Sequence, residues 1–171
     1  IRAKIAKAPV TCEVAPHHLW FTDSDYRVNP PIRTKEDRDF LIWAIENGYV
    51  DAIATDHAPH TAEDKKNGAP GMVGLETAFG VCYTILVKER RLPLTLLSRL
   101  MSAGPAKILG VQKGRLLPGY DADFALVDEN REWVVDAAQF ASKGKNSPFD
   151  GVRLQGKVVR TIKAGKTTWQ E

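Results

Sequence analysis

The chain has 171 residues, 43% of them hydrophobic and 26% charged, which is the texture of a folded domain with a real core and not of a disordered segment. Its net charge of +3 is spread along the chain, and the densest basic stretch, Lys88-Glu89-Arg90-Arg91, is broken by an acid and reads as a solvated helix end, which argues against a nucleic-acid partner. No apolar run approaches membrane-spanning length, and Cys12 and Cys82, both in apolar surroundings, read as reduced core residues, in keeping with a cytoplasmic setting.

Ile1 and Ile5 stand one helical turn apart, so the chain is expected to open partway through a helix. An opening with neither methionine nor cap points to a piece of a longer protein. Val10–Val14, β-rich and bounded by Pro9 and Pro16, predicts a short strand. A loop over Pro16–Arg33 follows, carrying His17, His18 and the turn-prone Asn29-Pro30-Pro31. Thr34 is an N-cap candidate with Glu36 and Asp37 in the first turn, and its helix buries Leu41, Ile42, Ala44 and Ile45 before stopping at Gly48. A second strand, Val50–Thr55, leads into Asp56-His57-Ala58-Pro59-His60, and the loop runs on to about Gly74. Loops of that length in compact domains are usually functional or disordered.

A long amphipathic helix is expected from Leu75 through Leu86, with Leu75, Ala78, Phe79 and Cys82 on its buried face, then shorter helices over Leu94–Ser102 and Pro105–Leu109. The alternation reads as two α/β units of a parallel sheet or barrel. From Gly114 the texture changes to short strands with Gly and Asp turns, at Phe124–Val127, Trp133–Val135, Val158–Ile162 and Thr167–Trp169. The chain therefore divides into residues 1–113 and a small β-subdomain over 114–171.

Asp56 stands where a strand exits, the position at which parallel α/β folds gather side chains for chemistry. It can serve as metal ligand, general base or both, or merely cap a turn before Ala58-Pro59. His57, adjacent on extended backbone, points the opposite way and reads as structural. His60, past the Pro59 bend, fits a substrate contact and a solvated loop histidine equally. His17 and His18 fit packing against Trp20 or Phe21 better than metal ligation. Asn29 is either a turn residue or a substrate reader, and Pro70-Gly71 offers a carbonyl and an N–H to a ligand or only makes a turn. Phosphate loop, nucleophile elbow and Cys-x-x-Cys are all absent.

Four ordered motifs, Val10-Thr-Cys-Glu-Val-Ala-Pro-His-His-Leu19, Asn29-Pro-Pro-Ile-Arg33, Ala54-Thr-Asp-His-Ala-Pro-His60 and Ala69-Pro-Gly-Met-Val-Gly-Leu-Glu76, together resemble dihydroorotases. The likeness is to the longer-chain type, related to allantoinases and hydantoinases within the amidohydrolase superfamily. Pro118-Gly-Tyr-Asp-Ala-Asp123 and the Gly156…Gly165 pattern extend it over essentially the whole chain.

The resemblance implies a TIM-like (β/α)8 barrel of a metal-dependent hydrolase, with 1–113 as about its last two β/α units and 114–171 as the C-terminal strands of a composite β-sandwich. It implies zinc, one or two ions, and reversible cyclisation of N-carbamoyl-L-aspartate to L-dihydroorotate in pyrimidine biosynthesis. Carried over by motif, Asp56 is the ligand that ends the eighth strand, and it passes a proton from attacking water to the leaving amide nitrogen. Asn29, His60, Pro70 and Gly71 hold the substrate's carboxylate and ring amides, while His17 and His18 are not metal ligands.

The family's His-x-His after the first strand, its bridging carboxylated Lys or Asp, and its histidines after the fifth and sixth strands have no counterpart here. One zinc ligand thus stands where a catalytic site needs three or more. The implied object is a portion of a homo-oligomeric enzyme, inactive and weakly zinc-binding without the N-terminal half of its barrel, and prone to associate through open strand edges. Two alternatives stand beside it: another cyclic amidase (allantoinase or hydantoinase), and a non-catalytic dihydroorotase-like scaffold for aspartate transcarbamoylase.

Overall fold

A computed structural model describes all 171 residues. In chain order, α1 (Arg2–Ile5) leads to β1 (Glu13–Val14), α2 (Pro16–Trp20), α3 (Lys35–Glu46) and β2 (Ala52–Ile53). β1 and β2 pair in parallel, Glu13 opposite Ala52 and Val14 opposite Ile53. Both are shorter than the apolar runs that predict them. One main-chain bond flanks the pairing on each side, Asp51 N–H to Cys12 O and Ala54 N–H to Val14 O, both 3.0 Å. Beyond that the Cys12 N–H goes to the Asp51 carboxylate at 2.8 Å, which also binds the Lys4 ammonium, so a side chain takes the place of further ladder. Cys12 itself is exposed, contrary to its expected place in the core; it precedes the paired residues, and its thiol reaches out to Tyr49 O at 3.0 Å.

The loop expected over Pro16–Arg33 begins instead with α2, whose first helical residue is Pro16, where the missing N–H has no helical partner to lose. α3 starts as its sequence predicts. Thr34 Oγ1 accepts the Asp37 N–H and the Asp37 carboxylate accepts the Thr34 N–H, both at 3.3 Å, forming a capping box. The same device, Thr61 with Asp64, starts α4 (Ala62–Lys66) inside the Asp56–Gly74 loop, and a parallel bridge joins His57 to Met72. The loop is therefore a built element, not a structureless one.

Next comes α5 (Ala78–Cys82), which widens into a π-helical stretch, Tyr83–Glu89. Leu75 does not join its buried face. Gly74 O receives the N–H of Ala78 and the Thr77 hydroxyl, making a turn that leaves Leu75 outside the helix and 60% exposed. α6 (Leu94–Ser98), a π-helical stretch Arg99–Ala103 and α7 (Gly104–Leu109) then follow without a break.

The final third is an antiparallel sheet of β3 (Phe124–Val134), β4 (Arg153–Lys163) and β5 (Lys166–Gln170), in that spatial order. β3 is one strand where two short ones are expected, because register shifts after Leu126 and Asp128 absorb its polar middle. Asp123 anchors the β4–β5 turn by accepting the Ala164 N–H at 2.8 Å. The ammonium groups of Lys113 and Lys163, with that N–H, hold its carboxyl well below the usual carboxylate range.

One continuous core joins the helices to the root of this sheet, with Ile45, Val81, Leu86, Leu100, Phe149 and Leu154 almost fully buried. At the junction Thr84 Oγ1 donates to Gly80 O at 2.7 Å and accepts the Gln155 N–H at 2.9 Å. Ile5, Leu109, Leu116 and Leu117 remain exposed.

Cys82 is fully buried and burial pushes its thiol up to about 12. In the native 171-residue chain a water-soluble disulfide reagent should titrate Cys12 alone, and both thiols after unfolding. The folded state keeps the Cys82 proton that an unfolded thiol releases near 9, so this contribution to stability is whole below pH 9 and declines as pH rises toward 12. Chemical denaturation curves on wild type and Cys82→Ala across that window measure it; parallel curves would show that the thiol is not desolvated.

Candidate active site at the strand ends

Parallel strands end on the same side, so the segments that leave β1 and β2 meet. Leaving β1, the chain enters α2 with His17 and His18; leaving β2, it passes Thr55 and reaches Asp56. His17 is 1% exposed, neither ring nitrogen has a hydrogen-bond partner, and its Nε2 lies 3.8 Å from Asp56 Oδ2. Burial, with the His18 ring 4.2 Å away, pushes its pKa down to about 4, so the imidazole is neutral near pH 7. Asp56 has φ +51°, the left-handed region that Asp tolerates better than most residues, and its side chain is 44% exposed.

The Asp56 carboxylate lines a cavity of about 730 Å³ at the strand ends, together with His18, Asn29, Arg33 and Ala54. His18 Nε2 lies 2.9 Å from Pro30 O; with its proton there it donates to that carbonyl and ties the Asn29–Pro31 turn to the strand ends. The structure thus brings Asn29 and Asp56 to one cavity.

His60, Pro70 and Gly71 do not line that cavity; they form a second cluster within the loop. His60 Nε2 is 2.9 Å from Pro70 O, to which it donates in the matching tautomer, and the Gly71 N–H goes to Arg27 O at 2.9 Å. The Pro70 carbonyl and the Gly71 N–H are therefore both engaged inside the chain. Lys65 Nζ donates to Arg27 O, Ala69 O and Gly71 O at 3.2, 2.9 and 2.8 Å, over the face of Tyr26. Gly71 has φ +130°, and a β-carbon there would stand 2.6 Å from Ala58 Cβ and 3.1 Å from His60 Nε2. His57 faces elsewhere, its Nδ1 accepting the Gly74 N–H at 3.1 Å to close the loop.

Three residues at these places escape sequence reasoning. His17 reads as packing, yet it packs on the Asp56 carboxylate. Arg33 is visible only as the end of a turn motif. Asn146 lies 86 residues from His60 and bonds its backbone, a contact that leaves no periodic signal.

His17 and Asp56 are the metal donors that meet at the strand ends, and no group of three His, Cys, Asp or Glu comes together anywhere in the chain. A catalytic zinc takes three protein ligands and keeps one open position. The residues of this chain by themselves do not fit that requirement.

A family model described as the Amidohydrolase family matches residues 6–168. A dihydroorotase of Clostridium botulinum (strain Eklund 17B / Type B) is 53% identical over 173 residues, covering 100% of this chain and 44% of that protein. A dihydroorotase of Bacillus cereus (strain AH820) is 45% identical over 180 residues, covering 99% and 42%. Among solved structures, an L-hydantoinase (dihydropyrimidinase) from Arthrobacter aurescens matches with TM-score 0.93 at 36% identity, over 99% of this chain and 41% of that one. A dihydropyrimidinase from Brevibacillus agri NCHU1002, 23% identical with TM-score 0.91, shares the fold. The chain spans less than half the length of these relatives.

Gly71→Ala forces a methyl into Ala58 and His60 at a φ that side chains rarely adopt, and should cost about 1–3 kcal/mol. Urea denaturation measures it, and an unchanged midpoint would mean the loop does not close on His60 this tightly.

Proposed function

The chain belongs to the amidohydrolase family, and from that premise we propose that it is the C-terminal part of a dihydroorotase, which interconverts N-carbamoyl-L-aspartate and L-dihydroorotate. Asp56 carries this reading: a carboxylate at the exit of a buried parallel strand, turned out by its positive φ into a cavity shared with Asn29. Dihydroorotase is favoured over its relatives because whole-chain identity is 45–53% to dihydroorotases and 36% to the hydantoinase.

In this reading β1 and β2 are the seventh and eighth strands of a (β/α)8 barrel, residues 1–113 its last part, and 114–171 strands of the β-sandwich. Zinc is the cofactor, with Asp56 as one ligand and the others supplied by chain upstream of these residues. An ion held by Asp56 and those upstream residues would supply electrostatic activation of water and of the amide carbonyl. The Asp56 carboxylate takes a proton from the water that attacks the ring amide and returns it to the departing nitrogen, so the proton gained at Oδ is the proton delivered. Asn29 reads the substrate through its side-chain amide, which both donates and accepts. His60, the Pro70 carbonyl and the Gly71 N–H hold the substrate's carboxylate and ring amides. They do so by exchanging the internal His60–Pro70 and Gly71–Arg27 bonds for bonds to substrate. The hydantoinase likeness, at TM-score 0.93, favours hydantoin hydrolysis as the second reading.

In protein that includes the upstream half, turnover of dihydroorotate should exceed that of hydantoin and allantoin, and the opposite ranking would favour the second reading. Asp56→Asn should lower kcat by about 10²–10⁴-fold. The 171-residue chain alone should neither turn over dihydroorotate nor keep stoichiometric zinc through dialysis. Retention of one zinc per chain by atomic absorption would sink the view that most ligands lie upstream.

A further inference from the structure

The loop that holds His60 and Gly71 is fastened from the far end of the chain. Asn146 Oδ1 accepts the His60 N–H at 2.9 Å, while its Nδ2 donates to Gly71 O at 3.3 Å and Ala58 O at 3.4 Å. Its main-chain carbonyl accepts the Val73 N–H at 2.8 Å. One residue therefore grips both arms of the loop, 58–60 on one side and 71–73 on the other. The mount is rigid: Phe149, three residues on, is fully buried, and its N–H bonds the Ser147 hydroxyl at 3.3 Å. The approach is close as well, since a β-carbon on Gly144 would stand 2.8 Å from Pro59 Cβ and 3.2 Å from His60 N.

The chemistry of the residue matters. A side-chain amide presents an acceptor and a donor on two separate atoms of one short branch, and both are used here: the oxygen on the His60 arm and the nitrogen on both arms. Lys65 also holds Gly71 O, at 2.8 Å, but it has no bond to the His60 arm. Removing the Asn146 amide would leave Gly71 held and the His60 arm loose, which changes the spacing of the two and not the fold.

We propose that Asn146 is a positioning residue that sets His60 against Gly71 for substrate binding. The proposal rests on the reading that these two residues contact substrate.

In the zinc-loaded protein that includes the upstream half, Asn146→Ala should raise KM for dihydroorotate about tenfold with kcat changed less than about twofold, as expected for lost ground-state positioning. Amide hydrogen exchange gives a readout independent of activity. The His60 amide should exchange at least about tenfold faster, while the Val73 amide, bonded to the Asn146 main chain, keeps its protection. Asn146→Asp keeps the acceptor for His60 and loses both donor bonds, so it should keep His60 protection with an intermediate KM. It also serves as the test if the alanine variant does not fold.

Unchanged KM and unchanged His60 exchange in Asn146→Ala overturn the proposal. Loss of protection across the whole loop, Val73 included, with kcat falling as KM rises would make Asn146 a plain structural tie and overturn it too. A wild type without activity on dihydroorotate overturns the substrate reading, whereas normal wild-type turnover with an unaltered variant overturns the positioning role alone.

Discussion

The meeting of His17 and Asp56 depends on the parallel pairing of β1 with β2, only two residues long on each strand. Its register sets Val14 opposite Ile53, and His17 and Asp56 each follow three residues later, on the same side of the sheet. Their approach to 3.8 Å is thus a consequence of strand register before it is one of side-chain chemistry. A slip of one residue would turn Val14 and Ile53 off the core and separate the pair at once. The register is defended at its start by the Asp51 carboxylate, which binds the Cys12 amide and the Lys4 ammonium, and at its faces by burial of Val14, Ala52 and Ile53.

Two local rules are broken where the strands end. The His17 ring is buried with no hydrogen-bond partner, a state that costs about 1–3 kcal/mol for each unsatisfied polar group. Next to it Asp56 occupies a backbone region most residues avoid. Away from the strand ends, the helix starts at Thr34 and Thr61 each satisfy a full capping box, and Thr84 uses its hydroxyl as both donor and acceptor.

Sequence legibility follows the range of the interactions. The α3 start is readable because a capping box is four residues long. The place of Asp56 just past β2 is readable because a strand exit is a local event. Leu75 and Cys12 lie outside the core their apolar character predicts, because that character does not reveal that a turn ends at Thr77, or that a carboxylate thirty-nine residues away takes the Cys12 amide. The single turn of α2 was hidden by Pro16, which signals a break and a helix start equally well. Asn146 was beyond reach, because a polar residue in a Ser- and Lys-rich stretch looks like solvent-facing loop until the fold shows what lies beside it.

The two clusters at the candidate site are built on different supports, yet the core makes them one body. Asp56 and His17 are fixed by strand register, whereas His60 and Gly71 are fixed by Asn146 from the C-terminal segment. Phe149 connects them: its ring packs on Phe21 at 4.8 Å and edge-on to Trp20 at 5.8 Å between centroids. Trp20 ends the same short helix that carries His17, and Phe149 stands three residues past Asn146. A path of packed and bonded groups therefore runs from the histidine beside Asp56, through one buried aromatic, to the amide that holds His60. Because interiors are close-packed, a smaller side chain at Phe149 would open space between the helix that carries His17 and the segment that carries Asn146.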